Sequence, residues 1–301
     1  MKKFSLDNPI FKDESKARAY LESIRWPDGV SCPHCGHSEI IYKLNGQAHR
    51  EGLYKCSQCY KQFSVTVGTL FERSHVPLHK WLLTVHLLCA SKKGHSSHQI
   101  HRMIGVTYKT AWFMTHRIRK AMRDPKFTYM LGGGGKVVEA DETFWGNKKK
   151  RPKGHTGYIH KEKIFSLVER NGEVRSFHVE SVAGDTLKPI MKEQIAKDTA
   201  IMTDDMGAYH HLDEYFASHD VVRHTRKEYV RGEIHTQTID NYFSILKRGL
   251  RGVYQHVSKQ HLRRYVGEFD FRYNHRHISD IERTAIALKG IEGKRVLYTM
   301  S

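Results

Sequence analysis

The chain has 301 residues, with 50 lysines and arginines against 32 acids, a formal charge of +18 and 22 histidines besides. That length supports two or three domains and a sizeable core, and the excess of cations points to a polyanion, nucleic acid or an anionic membrane surface. No apolar run approaches the roughly 18 residues of a bilayer span. The basic start at Met1-Lys2-Lys3 has no apolar stretch behind it, so the expectation is a cytosolic protein with reduced thiols.

Residues 13–23 read as a short amphipathic helix, with Ala17, Tyr20, Leu21 and Ile24 on one side and Asp13 or Ser15 as its cap. Cys32-Pro33-His34-Cys35 and Cys56-Ser57-Gln58-Cys59 follow as two C-x-x-C knuckles. Paired knuckles at this spacing predict a closed four-thiolate zinc site, structural because no ligand position stays open. Short strands are expected at Glu39–Lys43, Leu53–Lys55 and Gln62–Val67, and Cys89 reads as a buried core thiol. Residues 1–72 thus form an N-terminal helix and zinc ribbon.

Residues 73–130 read as helical. Pro77 opens one helix to about Ser91, Ser96 or Ser97 caps a second over Ser97–Ile104, and Gly105-Val106-Thr107 turns into a third over Tyr108–Met122. Helix, glycine turn, helix is a helix-turn-helix outline. Lys109, Arg117, Arg119 and Lys120 on the third helix suit DNA contact, and a solvated basic hairpin is the plainer alternative. Leu131 and the four glycines after it read as a flexible linker.

From 131 to 301 a third domain is expected. Val137–Asp141 is a strand ending in acid, and Lys148, Lys149 and Lys150 lie in a basic loop suited to a phosphate backbone. Ile164–Glu169 and Val174–Val179 flank an Asn171-Gly172 hairpin signal, Asp185 or Thr186 caps a helix to about Lys197, and Ala200–Thr203 is a strand ending at Asp204. A helical crossover lets the first and last of these strands lie parallel, with Asp141 beside Asp204 at the carboxyl edge. Ile239, Phe243, Leu246 and Leu250 recur at helical spacing, and Asp240 and Lys247, two turns apart, share a side of that helix. Arg248 follows as a further cation for DNA. A long helix from Ser258 buries Leu262, Tyr265, Val266 and Phe269, leaving Arg263, Arg264, Arg272, His275 and Arg276 for solvent or DNA. The order of strands and helices is the ribonuclease H-like outline, a mixed sheet flanked by helices. Two strand-end carboxylates and one from a helix can hold two hard cations for phosphoryl transfer.

With these residues in hand, the sequence resembles the zinc-ribbon DDE transposases of bacterial insertion sequences nearly end to end. The resemblance rests on the four ribbon cysteines, Ser64–Phe71, Tyr108–Met114, Glu139–Gly146, Phe243–Gly249, Glu268–Arg276 and Gly293–Tyr298. It implies catalytic aspartates at Asp141 and Asp204, with Asp205 as competitor for the second. It implies a third acid, usually glutamate, seven residues before a lysine, and counting back from Lys247 reaches Asp240. Some relatives carry asparagine as third ligand, which makes Asn241 the competitor, and Gln237 stands where many members have asparagine. The resemblance further implies two Mg²⁺ or Mn²⁺ ions, one structural zinc, and end cleavage followed by strand transfer. Expected partners are double-stranded DNA, both terminal inverted repeats and target, bound by a homodimer or higher assembly at the nucleoid. A nuclease that cuts without joining, and a domesticated DNA-binding protein with no activity, are the alternatives.

Overall fold

A computed structural model describes residues 5–123, 127–146, 161–223, 226 and 228–294. The chain divides into two compact units, residues 1–123 with 277–301 and residues 124–276. The last segment, assigned on sequence to the catalytic domain, therefore clusters with the first unit.

In the first unit, α1 (Glu14–Arg25) is capped by Asp13, which accepts from the Lys16 amide at 2.8 Å, and it buries Ala17 and Leu21. The ribbon strands β1 (Ile41–Leu44), β2 (Leu53–Cys56) and β3 (Gln62–Phe63) form an antiparallel sheet. Trp26 packs edge-on against Tyr54 and Phe63, at 5.7 and 6.0 Å between ring centroids, and gives this small sheet a core. Helix α2 (Leu78–Ala90) is buried along most of its length.

Ser96 and Gln99 make a reciprocal capping box at the start of α3 (Ser97–Ile104). Gly105 ends that helix at φ 63°, the left-handed conformation that glycine adopts without strain. Helix α4 (Tyr108–Met122) then starts from its Thr107 cap. The predicted limits of α3 and α4 are the observed ones.

The second unit is built on a five-stranded mixed sheet. Its strands are β4 (Val137–Trp145), β5 (Glu162–Glu169), β6 (Val174–Val179), β7 (Ala200–Asp204) and β8 (Ser218–Val222), in the order β6-β5-β4-β7-β8. Strand β4 pairs antiparallel with β5 and parallel with β7, and β7 pairs parallel with β8. The crossover between β6 and β7 is α5 (Gly184–Gln194). Ala183 occupies its cap position without a side-chain bond, and Asp185 lies inside the first turn rather than capping it.

A small hairpin, β9 (Val230–Arg231) and β10 (Ile234–His235), leads into α6 (Gln237–Gly249), and α7 (Lys259–Asn274) follows. Alternation along the strands divides the apolar residues between two faces. Val138, Ala140, Phe165 and Leu167 cluster with Leu187 and Met191 of α5. Ile164, Val168 and Val174 cluster with α6 and α7. Ile239, Phe243, Leu246 and Leu250 are all buried there, as their spacing predicts, and each contributes about 1.5–3 kcal/mol by leaving water.

The glycine run is not a loose tether. Leu131 is fully buried, and its amide donates to the Gln194 carbonyl at 2.7 Å. The Gly132 amide donates to Glu169 at 2.8 Å, and the Gly133 amide to Thr199 at 2.9 Å. A Cβ on Gly132 would lie 2.1 Å from the Thr199 hydroxyl, so only glycine fits this docked strap.

Helix α8 (Asp280–Lys289) completes the first unit. Thr284 meets His86 of α2 at 3.0 Å, and Arg283 donates to the Cys89 carbonyl at 2.7 Å. Among the described residues no helix is long and apolar enough to cross a membrane.

Candidate functional site

The acids meet where β4 and β7 run side by side. Their parallel register pairs Val137 with Ala200 and Glu139 with Met202. The same offset carried two residues further brings Asp141 level with Asp204. Pleat alternation also sets Glu139, Asp141, Met202 and Asp204 toward one side of the sheet, the side covered by α6. Carboxylate oxygens of Asp141, Glu142 and Asp204 all lie within 4.8 Å of one another.

Glu142 was not foreseen. By alternation it belongs to the other side of β4, where Tyr209 donates its hydroxyl to Glu142 Oε2 at 2.8 Å. Its signal in the sequence is the Asp141-Glu142 doublet, which reads as the end of a strand, whereas β4 runs on past it to Trp145.

Crowding and burial keep Asp141 and Glu142 from ionising freely. Burial first, then the charges of Glu142, Asp204 and Asp240, hold the Asp141 carboxyl well above the usual range. Burial, with the nearby Asp204 charge, pushes Glu142 up to about 7. A pocket of repelling oxygens is what a hard divalent cation relieves. The donor set therefore fits Mg²⁺ or Mn²⁺.

Helix α6 brings the remaining predicted groups. Asp240 is exposed in its first turn and lies outside the close cluster, though its charge acts on both Asp141 and Lys247. Lys247 is half-buried. Burial lowers its pKa, aided by Arg251 and Lys161, while Asp141 and Asp240 oppose the shift. The cluster contains Asp204 and not Asp205.

The middle of α6 is pinned from below. Tyr242 donates its hydroxyl to Asp270 of α7, and the Ser176 hydroxyl donates to the same carboxylate at 2.7 Å. Ser166, which pairs with Asp141 across the β4–β5 ladder, donates in turn to Ser176 at 2.8 Å.

The ribbon cysteines also converge. Cys32 and Cys59 sulfurs lie 3.6 Å apart, and Cys35 and Cys56 sulfurs 3.7 Å apart, with all four within 4.8 Å of one another. Zinc–sulfur bonds of about 2.3 Å in a tetrahedron put sulfurs roughly 3.8 Å apart, so the site fits zinc.

The basic residues separate by exposure. Lys109 is exposed at the start of α4, and Lys120 is half-buried. Arg117 donates to the Leu70 carbonyl at 2.7 Å and lies 4.3 Å above the Phe113 ring, so it serves the fold. Arg119 is fully buried. Helical periodicity puts it with Ala111, Thr115 and Met122 on the inner face of α4, which corrects its expected exposure to a DNA groove. Arg272, expected at the surface, is likewise buried and ion-paired with Glu268. Arg248 is exposed on α6. Lys148, Lys149 and Lys150 fall outside the described residues.

Comparison with known proteins gives matches in both parts of the chain. A transposase zinc-ribbon domain matches residues 12–62, and an ISXO2-like transposase domain matches residues 130–274. A protein of transposable element ISH50 from Halobacterium salinarum is 28% identical over 278 residues, 87% of this chain and 91% of that one. A transposase-like protein of Haemophilus influenzae is 28% identical over 100 residues, 33% of this chain and 80% of that one. A solved simian T-cell lymphotropic virus intasome is similar over 58% of this chain and 63% of its own, at 14% identity and a TM-score of 0.30. With both domains matched in order, and a transposable-element protein aligned along most of its length, the chain belongs to the zinc-ribbon DDE transposases of insertion sequences.

Proposed function

We propose that the protein binds the terminal inverted repeats of its element, cuts DNA at their ends and joins those ends to target DNA. The observation that carries this is the convergence of Asp141, Glu142 and Asp204, with Lys247 electrostatically coupled to Asp141. Such a pocket places cation-binding oxygens beside a protein cation that a DNA phosphate can approach.

Asp141 and Asp204 would hold the catalytic cations, Glu142 would add a carboxylate from the far side of β4, and Asp240 would complete the set from α6. When bound, a pair of divalent cations supplies Lewis-acid stabilisation of both attacking and leaving oxygens in an in-line displacement. Lys247 offsets charge that develops on the scissile phosphate. Tyr209 keeps the Glu142 carboxylate turned toward its neighbours. A water oxygen attacks phosphorus, the bond to the 3′ oxygen breaks, and a 3′-hydroxyl is left. That hydroxyl then attacks the phosphorus of a target phosphodiester at the same acids, the target's own bond from phosphorus to the 3′ oxygen breaks to free a target 3′-hydroxyl, and no covalent enzyme intermediate forms. The cysteine ribbon, holding zinc, and the α3–α4 pair would recognise the repeat. Two ends must be brought together, so at least two protein copies act on DNA.

The test is a supercoiled donor plasmid carrying the element's own terminal repeats, incubated with the protein and Mg²⁺. Asp141→Asn and Asp204→Asn should each abolish end cleavage while repeat binding survives. Cleavage that persists in both variants overturns the assignment. Binding without cleavage by the wild-type chain would leave a DNA-binding protein.

A further inference from the structure

Glu139 lies two residues before Asp141 on the same side of β4, and its side chain is completely buried. A buried carboxylate is costly unless its oxygens are fully engaged. Here they are. Arg170 Nε donates to Oε1 at 2.8 Å, and the Thr238 hydroxyl donates to the same oxygen at 2.9 Å. The Ile239 amide donates to Oε2 at 2.9 Å, and His235 Nδ1 lies 3.3 Å from Oε1.

Three of these four partners flank one point, the start of α6. Helix N-termini present amides without intrahelical acceptors, ordinarily satisfied by the cap side chain. In α6 the cap residue Thr236 makes no such bond. Glu139 takes its place from another element, accepting from the third amide of the helix, with its negative charge at the positive end of the helix dipole. Arg170 reinforces the joint by donating to the carbonyls of Glu233 and His235, both at 2.9 Å, in the chain entering α6. Asp240 is the residue after Ile239.

We propose that Glu139 is a positioning residue, a cap lent by β4 to α6 that sets where Asp240 stands relative to Asp141. The proposal rests on reading these aspartates as cation ligands. Glu139 itself has its oxygens committed to protein donors and touches no reacting atom.

The experiment is a calorimetric Mn²⁺ titration of the full zinc-loaded chain, with zinc content and circular dichroism as controls. Glu139→Gln should weaken Mn²⁺ binding by about 10–100-fold, the usual effect of losing a group that orients a metal ligand. In an Asp240→Asn background the same change should have less than about a twofold further effect, because coupled sites are non-additive. Thr238→Val removes one helix-side donor with little risk to the fold and should act in the same direction by a smaller factor. It decides the matter if Glu139→Gln fails to fold. Normal Mn²⁺ affinity in the Glu139 and Thr238 variants, or losses that add fully to that of Asp240→Asn, overturns the positioning role. If Asp141→Asn abolishes binding while Glu139→Gln leaves it intact, only the positioning role falls. If Asp141→Asn binds Mn²⁺ like wild type, the cation reading falls and takes this role with it.

Discussion

Tyr209 donates to Glu142 at 2.8 Å, and this bond reaches the acid cluster from the side of the sheet opposite α6. Tyr209 is almost fully buried, and burial raises its own pKa well above the usual phenol range, so it remains a donor at neutral pH. Tyr209→Phe removes the donor while keeping the ring in its apolar cluster. The expected result is Mn²⁺ binding weakened by about tenfold, at the low end for loss of such an orienting bond. Calorimetry checks it, and unchanged affinity would mean that Glu142 takes no part in cation binding.

Asp270 gives a pH dependence away from the cation site. Burial outweighs its hydrogen bonds to Tyr242 and Ser176 and lifts its carboxyl to about 7. The folded value exceeds the unfolded value of about 4. The folded chain therefore binds this proton more tightly, and stability from the group is complete below the unfolded value and lost as pH rises through about 7. Asp270→Asn cannot titrate. The Tm advantage of wild type over this variant should shrink between pH 5.5 and 8. An advantage that grows over that interval contradicts a carboxyl raised by burial.

Zinc should hold the ribbon together through Trp26. This ring is 8% exposed and rests on Tyr54 and Phe63, residues of strands that the cysteines tie at their ends. Cys56→Ser is expected to remove the bound zinc and red-shift the Trp26 emission. Atomic absorption and fluorescence check this, with Trp26→Phe as the spectral control.

Lys109 and Arg119 share a helix but not a role. Lys109→Ala should weaken repeat binding and reduce the slope of log affinity against log salt by about one, the signature of one lost phosphate contact. Arg119→Ala should leave that slope unchanged and cost about 1–3 kcal/mol of stability instead, as loss of a buried polar side chain does. Filter binding across salt concentrations and thermal unfolding separate the two.

Much of this architecture is legible from local chemistry. The caps at Asp13 and Ser96, the Gly105 stop and the apolar repeat of α6 each rest on a few neighbouring residues, and each predicted element appears. The level placement of Asp141 and Asp204 follows from a crossover rule acting on two acid-bearing strands, although β4 continues past Asp141 to Trp145. What stayed hidden depends on distant partners. The glycine run reads as loose because its acceptors, Glu169, Thr199 and Gln194, lie far along the chain. Arg119 reads as exposed because its charge outweighs its helical phase, which places it on the buried side of α4. Glu142 and Glu139 flank the expected aspartate on either side, and nothing local tells a cluster carboxylate from a helix cap.

Helix α8 carries a consequence for biosynthesis. Its Thr284, Ala287 and Leu288 are buried in the first unit, whose other helices are translated long before. On the ribosome that unit waits, its apolar side uncovered, until α8 has emerged, while the acid-bearing sheet already has all its strands. A premature stop near codon 276 would therefore spare the residues of the acid cluster and ruin the first unit.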